Sequence, residues 1–509
     1  MASIQFGEER PELAAWVAAA AGTAKLELSA RARRGIAASR AVVEACLDEQ
    51  RVVYGVNTGF GKLSNVRVSP DDLSALQQNL LLSHATGTGE RLPRDVSRLA
   101  LTLRIHALAK GLSGVRLELI ERMIELLAHD LVPVIPSQGS VGASGDLAPL
   151  AHMALPLIGY GEVDDGKRVI SGKAALARLG REPFRLGAKE GLALINGTQI
   201  MTAIGLLTLH RAELLSKSAD ILCATTLEAL RGSTRPFLTA VHDARPHPGQ
   251  RATAANLRSL LRGSKIVPSH RHCGRVQDAY SLRCAPQVHG AVKDALAFAR
   301  GVLTIEADSV TDNPLVFADG EVVSAGNFHG QPVSQAMDFL KIAVSTLANI
   351  SERRTENLVN PDISGLPPFL ANDPGVESGL MIQQVVAAAL ASENKSLAHP
   401  ASVDTIPTSA NREDHVSMGV TAARHAARVV DNTQRVLAVE WIAACAGLDF
   451  GEPLTPGRGV EAAHAALREV VAPLRADRYL APDLAAATAR IAAGELVAKV
   501  EAVTGPLRG

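Results

Sequence analysis

The chain has 509 residues, long enough to bury a large core, and its 52 basic residues balance 52 acidic ones. That balance, with no long run of one sign, gives no electrostatic reason to expect nucleic acid or an anionic membrane as a partner. Alanine and leucine dominate while aromatics make up only 3%, which argues against an all-β core and for helices.

The N-terminus, MASIQFGEERPELAAW, carries acids early and has no apolar h-region, so no secretory signal is expected and a cytoplasmic location is. Five scattered cysteines (46, 223, 273, 284 and 445) fit a reduced protein better than a disulfide scaffold. SPDDLSALQQNLLLSH predicts a helix with Ser69 as N-cap, Pro70 at the first position and Leu73, Leu76 and Leu80 on one face. A second helix is expected over 93–110, stopped by Gly111, and a third over 115–129. The uncharged stretch 191–210 approaches membrane-span length, but Asn196, Thr198 and Gln199 read as the start of a buried helix. Beyond it, 198–231, 332–359, 375–397 and 413–446 are Ala/Leu-rich and nearly free of Gly and Pro, the pattern of long helices packed as a bundle. Residues 1–197 are expected to form a helix-and-loop region and 198–509 the long-helix bundle with a C-terminal helical region. With no repeat and no flexible linker, the two are expected to make one integrated unit.

The stretch GSVGASGDLAPL at 139–150 admits several readings. A hydrolase elbow needs Gly-x-Ser-x-Gly, and Asp146 stands where the second glycine belongs. A phosphate loop is no better served by GVNTGFGKL at 55–63, whose glycine spacing is wrong and whose lysine precedes Leu63. His270, His272, Cys273 and Cys284 have poor spacing for zinc, and no metal is expected. Taken alone, the stretch reads as a glycine-rich turn feeding a helix, with Asp146 as N-cap.

Its company changes that reading. Ala-Ser-Gly followed by DLAPL resembles the signature of the aromatic amino acid ammonia-lyases. Further blocks similar to that family follow in order: YGVNTGFG at 54–61, GLALINGTQ at 191–199, VQDAYSLRCAPQVHG at 276–290, SVTDNPLV at 309–316, GNFHGQPV at 326–333 and ENKSLAHPASVDTIPTSANREDHVSMG at 393–419. The resemblance implies a mainly α fold with a fumarase/histidase-like long central helical bundle, the N-terminal region carrying the reactive loop. It also implies a cofactor made from the chain. The Gly145 nitrogen attacks the Ala143 carbonyl, Ser144 loses its hydroxyl, and the ring methylidene-imidazolone (MIO) results. Glycine at 145 leaves room for closure, and the serine supplies the hydroxyl that departs as water. Helix N-termini converging on the ring would raise its electrophilicity.

Such an electrophile suits amine elimination, because ammonia is a poor leaving group and the β-hydrogen is barely acidic. By resemblance, Tyr280 is the β-proton base, although a phenol ordinarily holds its proton to about pH 10 and needs positive surroundings to act so. Tyr54 is the second essential tyrosine, assisting proton handling near the amine. Arg283 would pair with the substrate carboxylate, Asn196 would contact that carboxylate and the MIO loop, and Gln277 would give polar support. Phe328 would pack near the ring, and Asp146 would aid its formation. Ordinary readings stand beside these: core tyrosines for 54 and 280, a surface ion pair for Arg283, and a helix N-cap for Asn196.

The substrate side chain is expected to be read by His84 and Glu413. Ser83-His84-Ala85 and Glu413-Asp414-His415 resemble the histidine-specific branch of the family. A carboxylate accepts a hydrogen bond from imidazole, whereas a phenyl ring would leave it buried without a partner; the ordinary reading of Glu413 is a helix-start acid. Arg412, where many members have glutamine, and Thr86 and Thr88 in the glycine loop depart from the pattern. The implied reaction is conversion of L-histidine to trans-urocanate and ammonia by a homotetramer with sites shared between subunits. Tyrosine or phenylalanine ammonia-lyase, an MIO aminomutase, and a fumarase-like helical protein without MIO are the alternatives.

Overall fold

The computed structural model describes residues 2–8, 10–270, 274, 276–451 and 453–509, with Lys62 described in its backbone only. The chain is mainly α-helical, and its strands form small sheets of two or three members. The helices that matter to the site are α1 (Leu73–His84), α2 (Arg94–Ala109), α3 (Leu117–Ala128), α4 (Leu147–Ala154), α5 (Glu190–Ile195), α6 (Gln199–Ala229), α7 (Tyr280–Arg283), α8 (Ala285–Ala307), α9 (Gln331–Val359), α10 (Met381–Leu397) and α11 (Gly419–Asp449).

Two compact units emerge from the packing. The first comprises Met1–Leu207, Arg300–Asp338 and Pro400–Arg424. In it, α3 buries Leu119, Ile120, Met123, Leu126 and Leu127, the one-sided spacing that its sequence dictates. A small apolar cluster joins Val43, Cys46, Val56, Leu73 and Val316. A short antiparallel pair, Thr88–Arg91 with Pro136–Gln138, runs into the loop that holds the 139–146 stretch. The second unit comprises Thr208–Ala299, Phe339–His399 and His425–Gly509. Alanines let its long helices approach closely: Ala348, Ala387, Val436 and Val439 form one fully buried cluster.

Most expected helices are present, with shifted ends. Ser69 does not cap by its side chain; its hydroxyl donates to Asp72 Oδ2 at 2.7 Å, and a 3₁₀ turn over Pro70–Asp72 precedes α1. The 375–397 segment becomes helical only at Met381, after turns at 374–380. The 413–446 segment starts its helix at Gly419, because Glu413 pairs backbone to backbone with Thr408 and Met418 has φ +53°. Helix α8, which the sequence reading did not set out, contains Pro286, Gly290 and Gly301. Among the described residues, no helix is long and apolar enough to cross a membrane, and no group of three or more His, Cys, Asp or Glu side chains could hold a metal. His272 and Cys273, weighed above as zinc ligands, lie outside the described residues.

Candidate active site

The 139–146 stretch is a loop tied down at nearly every residue. Gly142 N donates to Ser140 Oγ at 3.1 Å, while the Gly142 carbonyl accepts from Ser417 Oγ at 2.9 Å and Gly330 N at 3.2 Å. Met418 N donates to the Val141 carbonyl at 2.8 Å. Gly145 lies against Gly197 as an isolated parallel bridge, and Asp146 N donates to the Gly197 carbonyl at 2.7 Å. Gly145 has φ +74°, and a Cβ there would be driven into the Gly197 carbonyl. Only glycine fits that position.

Asp146 is the N-cap residue of α4 by position, yet its side chain makes no cap there. The carboxylate instead accepts from the backbone N–H groups of Ile200 and Met201, both at 3.0 Å, and from Ser140 Oγ at 3.0 Å. It therefore caps α6, more than fifty residues on. Burial pushes this carboxyl up to about 7 against those three donors, and the negative charge of Glu306 adds to the rise. The first residues of four helices thus adjoin the loop: α4 follows it directly, α6 bonds Asp146, and α9 and α11 begin just after Gly330 and Ser417. The backbone N–H groups at the starts of α6, α9 and α11 reach the loop at Asp146, Gly142 and Val141, where a positive helix end favours electron-rich groups.

Ser144 lines a pocket of about 510 Å³ in the first unit, within the size range of small-molecule sites. Asn196, the C-cap of α5 rather than the N-cap of α6, sends Nδ2 to the Ser144 carbonyl at 2.7 Å. Glu413 Oε1 accepts from Ser144 Oγ at 2.6 Å, and Oε2 accepts from Thr408 Oγ1 at 2.5 Å and Ser409 Oγ at 3.0 Å. Glu413 is not a helix-start acid, since α11 begins at Gly419.

His84, the last residue of α1, lines the same pocket with Tyr54 and Phe328. Its Nδ1 lies 3.0 Å from Ser83 Oγ. Burial lowers its pKa, against the raising effects of a backbone hydrogen bond at Leu80 and the charge of Glu413. Burial raises the Tyr54 phenol, with Glu413 adding to the rise and a backbone hydrogen bond at Gly61 opposing it.

The structure thus gathers Tyr54, His84, Ser144, Asn196, Phe328 and Glu413 at one pocket, while Ala143 and Gly145 line a second that shares His84, Ser144 and Glu413, with Asp146 next in the same loop. Gln277, Tyr280 and Arg283 are not among the residues that line it. They belong to the second unit, where Tyr280 is 70% exposed and Gln277 is exposed as well. The Arg283 guanidinium lies over the Tyr280 ring at 4.5 Å, and its buried Nε has no hydrogen-bond partner among the described residues. Sequence reading missed Asn79, Asn313 and Ser409 as pocket residues. Asn79 was visible as a polar residue among leucines one turn before Ser83, and Asn313 sits inside the SVTDNPLV block.

Residues 12–469 match the family model of the aromatic amino acid lyases. The chain is 54% identical over 493 residues to a histidine ammonia-lyase of Gloeobacter violaceus, covering 96% of each. Its fold is similar to the crystal structure of histidine ammonia-lyase from Trypanosoma cruzi, with TM-score 0.92, 41% identity and coverage of 99% of this chain and 96% of that one. It is also similar to tyrosine aminomutase from Streptomyces globisporus, with TM-score 0.94, 38% identity and coverage of 99% and 100%.

Proposed function

This chain belongs to the aromatic amino acid lyase family, and from that premise we infer that it removes ammonia from L-histidine without oxidation, giving trans-urocanate. It is a carbon–nitrogen lyase. The observation that carries the reading is the grip on Ser144, between Asn196 on its carbonyl and Glu413 on its hydroxyl, at a pocket that also holds His84 and Tyr54.

The family depends on MIO, and residues 143–145 suit its formation. Position 145 admits only glycine, Ala143 puts no bulk beside its own carbonyl, and the loop is pinned on both sides. When formed, the ring supplies an electrophilic carbon for the substrate amine and so makes the nitrogen a better leaving group. Asp146, buried and poised near neutral, assists its formation.

The remaining roles fall to side chains. Asn196 and Arg283 hold the substrate carboxylate, the latter with a donor that nothing else in the described chain claims. Gln277 supports them, and Phe328 packs against the ring. Tyr280 takes the β-proton as the carbon–nitrogen bond breaks and the new double bond forms. Tyr54, kept protonated by its burial, handles a proton near the departing amine. His84 and Glu413 read the imidazole. Once Ser144 has lost its hydroxyl, Glu413 Oε1 is released to accept an N–H from the substrate, whereas a phenyl ring offers it none.

Gln277, Tyr280 and Arg283 do not line the pocket of the first unit, which supports a homotetramer in which neighbouring copies supply them. Two measurements test the reading. The intact mass should lie two waters below the sequence value; a full sequence mass overturns the ring. Ultraviolet assays with histidine, tyrosine and phenylalanine in parallel should show histidine fastest; a faster tyrosine or phenylalanine overturns the roles of His84 and Glu413. A β-amino acid product would identify an aminomutase instead.

A further inference from the structure

The short helix α7, which carries Tyr280 and Arg283, is gripped from within the second unit. Ser281 lies between the two residues and is itself buried. Asn357 Nδ2 donates to its hydroxyl at 3.0 Å, and Arg354 Nη1 donates to its carbonyl at 3.4 Å.

Behind Arg354 stands a chain of buried charge. Its Nε and Nη2 fork onto Glu440 at 2.5 and 2.8 Å, and Thr226 Oγ1 donates to the same carboxylate at 2.8 Å. Arg354 Nη1 also faces His289 Nε2 at 3.2 Å. Arginine can only donate, so His289 accepts there and carries its proton on Nδ1. That N–H donates to Asp220 Oδ1 at 2.8 Å. The other Asp220 oxygen accepts from Asn256 Nδ2 at 2.8 Å and pairs with Lys293 Nζ at 3.3 Å. Arg354, His289, Glu440 and Asp220 are all 0% exposed.

Desolvating so much charge is costly, and well-packed apolar side chains would hold a helix bundle as well or better. What a fully satisfied buried network does supply is a fixed geometry. Here it terminates on one peptide, the one between the proposed base and the proposed carboxylate ligand. Tyr280 and Arg283 leave the turn as a stacked pair, so a tilt of the turn moves both.

We propose that Arg354 and Asn357 are positioning residues, which hold Ser281 by its carbonyl and hydroxyl and thereby aim Tyr280 and Arg283 at the substrate. This rests on the reading that those two side chains act on the substrate. A misplacement of about 1 Å costs on the order of a hundredfold in rate.

The test is a double-mutant cycle on the full-length protein with histidine as substrate, comparing Asn357→Ala, Tyr280→Phe and the double variant. Readouts are kcat, KM, melting temperature and the two-water mass deficit. Asn357→Ala should lower kcat roughly ten- to hundredfold, raise KM because Arg283 moves too, and keep the mass deficit. Its effect on kcat should largely vanish in the Tyr280→Phe background, since there is no longer a base to aim. Ser281→Ala should reproduce the loss, and Arg354→Lys, which keeps the charge but not the fork, should exceed it. Equal losses in both backgrounds, or an unchanged kcat in a folded Asn357→Ala protein, overturn the positioning role while leaving Tyr280 in place. An unchanged kcat in Tyr280→Phe alone overturns the reading of Tyr280, and the positioning role with it.

Discussion

Asp146 follows directly on Gly145, the proposed ring-closing residue, and its surroundings compete. Three donors favour its charged form, but complete burial and the nearby charge of Glu306 outweigh them and set its pKa at about 7. This is above the value of about 3.9 expected in the unfolded chain. Its contribution to stability is therefore full below about pH 4 and is lost as pH rises through about 7. Asp146→Asn has no such proton to lose. The stability of the natural protein minus that of the variant, from denaturant melts, should fall by roughly 1–4 kcal/mol between pH 4 and pH 8; a flat difference would mean that the carboxyl is ionised throughout. Glu413 makes a separate claim. Glu413→Gln keeps the shape but removes the charged acceptor, so kcat/KM for histidine should drop about a hundredfold or more. Turnover of phenylalanine, if measurable, should not fall in step, and a parallel fall would place Glu413 in the chemistry common to all substrates. The sequence exposed both residues through their motifs, but not their partners. Asp146 read as the cap of the helix that follows it, because the helix it does cap starts more than fifty residues later.

At the scale of elements, the α5–α6 junction matters as much as the reactive loop. Gly197 packs where a Cβ would meet the Gln199 amide oxygen, the Arg104 guanidinium and the Thr311 carbonyl together. Arg104, buried beneath it, donates to Gln199 Oε1 and the Thr311 carbonyl at 3.0 Å each and also to the Ala193 carbonyl. Gly197→Ala should therefore push the junction off Gly145 and hinder ring closure. The expected result is a folded fraction whose intact mass stays at the sequence value; a full two-water deficit would show that the junction does not shape the loop. Composition placed α6 and α9 within a few residues, since both segments are Ala/Leu-rich and nearly free of Gly and Pro. It misplaced the starts of α10 and α11, where backbone pairing and a left-handed residue decide the boundary. Propensity is silent about both. Helix α8 holds Pro286 in its first turn, where proline is tolerated.

For the whole molecule, the division of labour is the open question that a mixture can answer. The pocket of the first unit holds Ser144, Glu413 and His84, while Tyr280 and Arg283 stand on an exposed turn of the second unit. Composition and periodicity could not link the two groups; only the resemblance assigned them to one reaction. If neighbouring copies complete each site, two strongly impaired variants should rescue one another. Glu413→Gln damages the pocket and Tyr280→Phe damages the turn. Co-expressed in equal amounts, they should form mixed oligomers in which roughly a quarter of the sites pair an intact pocket with an intact turn from another chain. Activity should return to about that fraction of the natural value, and should stay at the level of the separate variants when the two purified homo-oligomers are combined without exchange. A site built within one chain gives the opposite result. Every chain in the mixture then carries one lesion in its own site, so no arrangement of subunits restores turnover. The same preparation separates sharing from simple instability, because a poorly folded variant would lose soluble oligomer on gel filtration, whereas a shared site regains rate at constant oligomer content.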